Sequence, residues 1–237
     1  MTGLSVIVPC YNEDSRGSLT DRINSLLIEI KKLQVPFEII CIDDGSTDNT
    51  YKTLLTIDNI SIVGYKGNRG KGYAIRYGLD YCIYDRVLIT DADMSVPLDN
   101  IKYFYDIAGE NKCIIGVRQY NHKSRPLFRR FLTYMSKLCV HKVLNLSVTD
   151  SQCGFKLFNL EDYQSVAKYI KSERWVFDME LLTYFSIKGV SIYEVPVKWN
   201  NTLKSTIKGL PALRSSLIEF NQILRSKRAY EKEIKLL

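Results

Sequence analysis

The first half of the chain alternates short apolar segments with amphipathic ones, and this alternation most constrains the possible folds. The apolar segments are typical of buried strands and lie at 4–9, 37–43, 60–65, 86–91 and 112–117. Segments with helical periodicity separate them, at 18–33, 48–57, 71–83 and 98–108. This alternation predicts an α/β fold in which a mostly parallel central sheet carries helices on both faces.

The second half is less regular, and we predict a mixture of helices and strands there. The predicted helices lie near 126–144, 161–170, 177–189 and 210–228, and the predicted strands near 154–158 and 191–198. Pro196 indicates that the last strand lies at an edge of the sheet, because proline cannot donate a ladder hydrogen bond.

Basic residues are concentrated in two segments of the chain, which carries a net charge of +7. Seven Lys or Arg and no Asp or Glu lie between Arg118 and Lys142. From Lys198 to the C-terminus, nine basic residues accompany three acidic ones. Such segments bind phosphates, acidic membrane surfaces or nucleic acids, or they form a solvated face.

Three features of the sequence indicate where the protein works. No apolar run reaches the ~18 residues of a membrane-spanning helix. A strand pattern begins at Leu4, so we expect no signal peptide. None of the six cysteines forms a C-x-x-C pair, which favours reduced thiols. We therefore expect a cytoplasmic protein.

Two carboxylates stand where the fourth predicted strand ends, in the segment Asp91-Ala92-Asp93. Unpaired carboxylates are costly to bury at such a position. Their hard oxygen atoms suit Mg²⁺ or Mn²⁺, which can bridge them to a diphosphate. Because the D-x-D spacing is common, the segment indicates a metal site only in combination with other motifs.

Polar clusters follow four of the predicted strands. Since ligands of open parallel sheets bind beyond the carboxyl ends of the strands, we expect these clusters to form one site at one edge. The clusters occupy residues 11–13, 43–46, 68–72 and 91–93.

Two of these clusters also allow simpler interpretations. Asp43 and Asp44 can accept hydrogen bonds from a base or ribose, whereas the residues after them, Ser46 to Asp48, can cap the next helix. Lys71 follows a glycine at a predicted helix start, where backbone N–H groups favour an anion such as a diphosphate. The alternative is a plain loop-to-helix turn.

The motifs and their order resemble those of the family 2 inverting glycosyltransferases, which have a Rossmann-like GT-A fold. The matching motifs are P-x-Y-N-E at 9–13, D-D-G-S-x-D at 43–48, N-R-G-K-G-x-A at 68–74 and D-A-D at 91–93. Two further segments, D-S-Q-C-G-F-K-L-F at 150–158 and E-R-W-V-F-D-M-E-L-L at 173–182, are similar to the dolichyl-phosphate or polyprenyl-phosphate β-glucosyltransferase branch.

The resemblance implies a metal-dependent inverting transfer of a sugar to a polyprenyl or dolichyl phosphate. The expected donor is a nucleotide-diphosphate sugar, with UDP-glucose favoured, and the expected cofactor is Mg²⁺ or Mn²⁺. It also implies one GT-A catalytic domain at 1–200, with a nucleotide-sugar half at 1–95 and an acceptor half at 96–200, followed by a basic amphipathic extension at 201–237.

The resemblance assigns roles to the matching positions on the donor side. Asp91 and Asp93 are the expected metal ligands, and Ser95 stands where related transferases can carry a third ligand, Gln. The expected nucleotide-sugar contacts are Pro9, Tyr11, Glu13, Asp43, Asp44, Lys71, Asp91, Ala92 and Asp93.

A phosphate acceptor is ionised at neutral pH, so it needs cations more than it needs a catalytic base. The expected acceptor contacts are Arg118, Arg125, Gln152 and Lys156, because arginine offers bidentate phosphate recognition. The candidate catalytic carboxylates are Asp178, Asp150 and Asp93. Asp178 could act as a base, orient the sugar or cap a helix.

The helices near 126–144 and 210–228 combine apolar faces with basic residues. Such helices can lie in the interface of an anionic membrane, which would place the protein peripherally on the cytosolic face. Alternatively, their apolar faces pack on the domain or on a second subunit, which would form a homodimer.

Three other functions are compatible with parts of the pattern. The same fold can transfer a sugar to a glycan, lipid or protein hydroxyl, which requires a true base. A sugar nucleotidyltransferase shares the acidic metal ligands, but a Gly-rich basic motif directly after the first strand is missing. Nucleic-acid binding is suggested by charge alone, and the acidic strand ends argue against it.

Overall fold

The structure of the chain is a computed structural model, which describes residues 1–119, 144–200 and 209–234. Its strands are β1 (Leu4–Cys10), β2 (Phe37–Asp43), β3 (Ser61–Gly64), β4 (Arg86–Ile89), β5 (Lys112–Arg118), β6 (Lys156–Asn159) and β7 (Ser191–Val197). Its helices are α1 (Leu19–Lys31), α2 (Thr50–Leu54), α3 (Lys71–Leu79), α4 (Asn100–Ile107), α5 (Leu160–Val166), α6 (Phe177–Lys188) and α7 (Gly209–Ile234). The predicted helix near 126–144 lies almost wholly outside the described residues, as does Arg125.

The strands form one seven-stranded sheet in the order β3-β2-β1-β4-β6-β5-β7. Strand β1 pairs in parallel with β2 and β4, and β5 pairs in parallel with β7. Strand β6 runs antiparallel between β4 and β5. The predicted mostly parallel sheet is therefore confirmed, and Pro196 lies in an edge strand, as expected.

Helices cover both faces of the sheet. Since successive side chains of a strand point to opposite faces, Val6 packs in one core cluster with α1 and α4, and Ile7 packs in another with α3 and α6. Both Val6 and Ile7 are fully buried. This two-sided burial explains why the strands have continuous apolar runs rather than alternating patterns.

The terminal helix α7 is part of this core. Ile223 and Tyr230 are buried in the same cluster as the α3 and α6 side chains, and Glu219 and Lys227 are buried with them. Spacings of three and four residues place these side chains on one helical face. Along this part of α7, the helix packs on the domain.

Several predicted boundaries differ from the structure. The helix predicted at 48–57 is the short α2, and the strand predicted at 86–91 ends at Ile89, so that Asp91 lies in the loop beyond it. The terminal helix extends to Ile234 rather than to 228. No helix within the described ranges is both long and apolar enough to cross a bilayer.

Candidate functional site

A cleft of about 540 Å³ opens at the carboxyl edge of β1, β2 and β4. Four segments that are separate in sequence meet there, because parallel strands bring their carboxyl ends to one edge. The predicted donor-side residues that line the cleft are Pro9, Tyr11, Glu13, Asp44, Lys71, Asp91, Ala92 and Asp93.

Asp43 is the predicted donor-side residue that does not line the cleft. Its side chain is buried and accepts a hydrogen bond from the Ser46 N–H at 3.3 Å. Its contact with a nucleotide stays a prediction.

The cleft also has lining residues to which the sequence motifs assigned no role. They include Asn12, Arg16, Asn68, Arg174 and Trp175. Asn12 and Asn68 belong to motifs that were recognised, so the same local pattern could have identified them. Arg174 and Trp175 belong to the segment at 173–182, which was also recognised, but they lie about 80 residues beyond the D-A-D segment. Only the tertiary fold shows that they line the same cleft.

Asp91 and Asp93 are held in place by neighbours in the cleft. Lys71 Nζ lies 2.6 Å from Asp91 Oδ1, and the Ser95 N–H donates to Asp93 Oδ1 at 3.0 Å. A Cβ added to Gly154 would collide with the Asp91 carboxylate, so this carboxylate depends on a glycine in the facing segment. Burial acts to raise the pKa of Asp91, but the charge and hydrogen bond of Lys71 hold that pKa below its ordinary value.

Asp91 and Asp93 suit a divalent cation that is bound jointly by the protein and by the substrate. Mg²⁺ is commonly held by one or two protein carboxylates, with substrate phosphates and water completing the shell. Within residues 1–119, 144–200 and 209–234, no three His, Cys, Asp or Glu side chains converge as a metal-binding group. Asp91 and Asp93 therefore fit a cation that also contacts a bound diphosphate, rather than a closed protein cage.

Lys71 connects the cleft to a buried ion pair. Lys156 Nζ lies 2.5 Å from Asp178 Oδ1, and Lys71 Nζ lies 3.8 Å from Asp178 Oδ2. Lys156 is fully buried and also donates to the Cys153 carbonyl. Burial acts to lower the pKa of Lys71, but Asp91 and Asp178 raise it above its ordinary value, so this ammonium group stays charged.

The buried ion pair bears on the predicted roles of Asp178 and Lys156. Asp178 lies in the first turn of α6, and no side chain caps that helix. Capping is therefore the wrong interpretation of Asp178, whose carboxylate pairs with lysines instead. Lys156 has its charge satisfied below the cleft surface, and its contact with an acceptor stays a prediction.

Asp44 organises the loop that carries Lys71. Its carboxylate accepts hydrogen bonds from the Tyr65 hydroxyl at 2.8 Å, the Asn68 side chain at 2.8 Å, and the N–H groups of Arg69 and Gly70 at 2.8 and 2.9 Å. Burial raises the pKa of Asp44 although these bonds oppose it. The N–H groups of Arg69 and Gly70, just before α3, thus bind the Asp44 carboxylate, and the expected contact of this helix start with a diphosphate stays a prediction. The contact of Asp44 with base or ribose also stays a prediction.

Glu13 is a second buried carboxylate that lines the cleft. It forms ion pairs with Arg16 at 3.0 Å and Arg22 at 3.2 Å. Burial raises the pKa of Glu13 to about 7, against the effect of these two arginines. The nearby charges of Asp93 and Asp91 act in the same direction as burial.

A small cavity lies on the other side of Asp91, next to the predicted acceptor residues. Arg118 and Trp199 line it together with Asp91. Arg118 makes a two-pronged ion pair with Asp150, with N–O distances of 2.7 and 2.8 Å, and its guanidinium lies 5.5 Å from the centre of the Trp199 ring. Burial acts to raise the pKa of Asp150, but Arg118 holds it below its ordinary value.

Of the other two predicted acceptor residues, Gln152 is not among the residues that line this cavity. The Gln152 side chain is exposed near Asp150, and Arg125 lies outside the described residues. The structure therefore gives Asp150 an arginine partner and leaves contacts of Gln152 and Arg125 with an acceptor as predictions.

Comparison with known proteins identifies related sequences over most of the chain. Residues 5–169 match the model of glycosyl transferase family 2. The chain is 31% identical over 225 residues to a dolichyl-phosphate beta-glucosyltransferase of Saccharomyces cerevisiae, and 34% identical over 220 residues to one of Dictyostelium discoideum. Each alignment covers 83% of this chain but 66% of the relative, so the chain spans just under two thirds of their length.

Solved structures with low sequence identity share the fold. A glucosyl-3-phosphoglycerate synthase from Mycobacterium tuberculosis, in complex with Mn²⁺, UDP-glucose and phosphoglyceric acid, has a TM-score of 0.69 at 18% identity, covering 95% of this chain and 80% of that one. A mannosyl-3-phosphoglycerate synthase from Rubrobacter xylanophilus has a TM-score of 0.64 at 16% identity, covering 97% and 75%. The protein belongs to glycosyl transferase family 2 and has the GT-A fold that its motifs predicted.

Proposed function

We propose that the protein is a metal-dependent inverting glycosyltransferase that moves glucose from UDP-glucose to a polyprenyl phosphate such as dolichyl phosphate. The observation that carries the proposal is that Asp91, Asp93 and Lys71 meet in one cleft with the residues that follow β1 and β2. The names of the relatives support the sugar and the acceptor.

The donor side of the cleft suits a diphosphate that leaves with negative charge. Asp91 and Asp93 would hold Mg²⁺ or Mn²⁺, which supplies Lewis-acid stabilisation of that charge when bound. The Lys71 ammonium, 2.6 Å from Asp91, offers a second positive charge for the diphosphate oxygens. Buried Glu13 and its partner Arg16 both line the cleft and would form the wall against the nucleotide.

The acceptor side suits an anion that needs no base. Arg118 lies at the far side of Asp91, oriented by Asp150, and its charge attracts a phosphate. An ionised phosphate attacks the anomeric carbon directly, from the face opposite the diphosphate, so the configuration inverts. Asp178, paired with two lysines, serves to orient charge around the sugar rather than to accept a proton.

The proposal is tested by incubating the full chain with Mn²⁺, dolichyl phosphate and UDP-glucose, and separately with UDP-N-acetylglucosamine or GDP-mannose. We expect a glucosylated lipid and UDP from the first donor. Asp93→Asn should lower turnover at least ~10²-fold, because a carboxylate that holds the cation is lost. Asp99→Asn is the matched control, since Asp99 is exposed nearby and should leave turnover unchanged.

The outcomes separate the proposal from its rivals. A sugar phosphate bond is cleaved by mild acid, whereas a glycoside of a hydroxyl acceptor survives, so an acid-stable product would support the glycan, lipid or protein acceptor. Release of pyrophosphate from a nucleoside triphosphate would support a nucleotidyltransferase. If calorimetry detects no binding of any of the three nucleotide sugars, with or without Mn²⁺, the proposal that the protein is a glycosyltransferase is refuted.

A further inference from the structure

The segment 171–175, between the short turn after α5 and the start of α6, forms one lip of the cleft. Arg174 and Trp175 line the cleft directly. The Glu173 carbonyl accepts a hydrogen bond from the Tyr73 N–H at 2.8 Å, and the Glu173 carboxylate pairs with Arg69 at 2.7 Å. The lip therefore connects to the loop and helix that carry Lys71.

The contact between the lip and the start of α3 is close enough to require glycine. A Cβ added to Gly70 would lie 2.7 Å from the Glu173 carbonyl oxygen. A Cβ added to Gly72 would lie 2.9 Å from the Ser172 and Arg174 carbonyl oxygens. Gly70 and Gly72 flank Lys71 in sequence, and packed contacts transmit displacement. Any shift of the lip therefore moves the residues around Lys71.

Two buried carboxylates hold the backbone of this lip. Glu180 of α6 accepts hydrogen bonds from the N–H groups of Lys171 and Ser172 at 3.0 and 2.7 Å. Glu219 of α7 accepts hydrogen bonds from the next two N–H groups, those of Glu173 and Arg174, at 3.0 and 2.9 Å. Four consecutive backbone amides are thus bound by carboxylates from two different helices.

Glu219 uses one oxygen for both of its bonds. Oε1 accepts both N–H groups, whereas Oε2 is buried and has no hydrogen-bond partner among the described residues. Burying a carboxylate with one oxygen unsatisfied is unfavourable, and the two bonds that Oε1 accepts from the lip offset part of that cost. The helix that supplies Glu219 begins 40 residues beyond the part of the chain that matches the family model.

We propose that Glu219 is a positioning residue for the donor cleft. It fixes the lip, and through the lip it fixes Arg174, Trp175 and the surroundings of Lys71. The C-terminal helix α7 is thereby a component of the donor site. The identity of the ligand used in the test rests on the proposed function, whereas the effect on the lip does not.

Three substitutions of Glu219 and one control test this role. Glu219→Ala removes the acceptor, Glu219→Asp retracts it by one methylene, and Glu219→Gln keeps a single acceptor oxygen at the same distance. Glu233→Ala is the matched control on the same helix, because Glu233 pairs with Lys168 at 2.9 Å on the exposed surface and does not contact the lip.

The first readout is hydrogen exchange of the Glu173 and Arg174 amides. We expect exchange to be at least ~10-fold faster in Glu219→Ala and Glu219→Asp, because protection is lost with the hydrogen bond. The second readout is the dissociation constant and KM for UDP-glucose with Mn²⁺, expected to rise ~10-fold with a smaller change in kcat. Glu219→Gln and Glu233→Ala should resemble the wild type in both.

Wild-type exchange and wild-type UDP-glucose affinity in Glu219→Asp would overturn the proposal, as would a Glu219→Gln variant as impaired as Glu219→Ala. If near-UV circular dichroism shows that Glu219→Ala is unfolded, Glu219→Asp and Glu219→Gln decide the question. If the wild type binds no UDP-glucose, the proposed function fails, and the exchange of the two amides still decides whether Glu219 fixes the lip.

Discussion

At the scale of single residues, Glu13 couples the cleft to pH. The residue is 6% exposed, and burial raises its pKa from 4.5 to about 7. Arg16 and Arg22 pair with it, and Asp91 and Asp93 oppose its charge. The folded state therefore binds this proton more tightly than the unfolded chain does.

This difference sets a direction for stability against pH. Because the folded-state pKa of Glu13 is raised, its contribution to stability is fully present below pH 4.5 and is lost as the pH rises towards 7. The loss is of the order of 3 kcal/mol. Urea unfolding without metal or nucleotide should show that Glu13→Gln becomes more stable relative to the wild type across this range.

Glu29→Gln, which removes an exposed-surface ion pair with Lys32 on α1, is the control and should show no such trend. A stability difference between Glu13→Gln and the wild type that stays constant with pH would contradict the prediction. Asp91 and Asp150 do not affect this comparison between pH 4.5 and 7. Because their pKa values are lowered from 3.8, the stability that they contribute changes only near or below pH 3.8.

At the scale of elements, the contact between α3 and α6 fixes the position of Lys71. Gly72 lies in the first turn of α3, and a Cβ there would lie 2.6 Å from the Phe177 Cβ and 2.9 Å from two carbonyl oxygens. The neighbours are backbone or the root of a side chain, so they cannot move aside without shifting the helix. The close packing of α3 on α6 therefore requires glycine at position 72.

Gly72→Ala should destabilise the protein by about 1–3 kcal/mol through overpacking. The higher helix propensity of alanine over glycine, about 1 kcal/mol of stability, acts in the opposite direction. Thermal unfolding measures the change as a lower Tm. Gly109→Ala is the control, because the nearest atom to its added Cβ is Lys112 Cδ at 3.4 Å, and its Tm should stay near that of the wild type. A raised Tm of Gly72→Ala would contradict the prediction, because it would show that the start of α3 can shift to accommodate the added methyl group.

At the scale of the whole molecule, the outer face of α7 presents exposed positive charge that would attract an anionic membrane surface. The inner face of α7 is buried through Ile223 and Tyr230. Its exposed basic residues are Arg225, Arg228 and Lys232, which fall on a shared face at helical spacing. This geometry favours electrostatic attachment of a docked helix over insertion of its apolar side.

The full chain should co-sediment with vesicles that contain anionic lipid at low salt and dissociate at high salt, because surface charges are screened. Reversing three exposed charges on α7 should weaken binding at least ~10²-fold, since each basic residue near an anionic surface contributes about 1 kcal/mol. The reversed residues are Arg225→Glu, Arg228→Glu and Lys232→Glu.

The control reverses three exposed lysines on other helices and nearby turns, Lys31→Glu, Lys32→Glu and Lys52→Glu. Equal weakening by both triple variants would point to net charge rather than to α7. Absence of binding at every salt concentration would exclude the membrane-attached location and leave the proposed reaction to soluble or detergent-held acceptor.

Much of the fold, and the donor side of the site, can be predicted from local sequence patterns. The alternation of apolar and amphipathic segments predicted β1 to β5 and α1 to α4, and Pro196 predicted the edge position of β7. The strand-end rule predicted that Glu13, Lys71 and Asp93 share one cleft, and all three line it. These inferences succeed because periodicity and chain direction are short-range properties that parallel strand order converts into a common edge.

The sequence alone determined that this protein would be an α/β domain with acidic and basic strand ends on one edge. Only the tertiary structure decided that β6 enters antiparallel between β4 and β5. It also decided that Asp44 binds the backbone of the Lys71 loop, that Asp178 pairs with Lys156, and that Glu219 holds the lip. Such pairings join residues 22 to 46 positions apart, and no local pattern specifies them, because the whole packed core sets which buried charges meet.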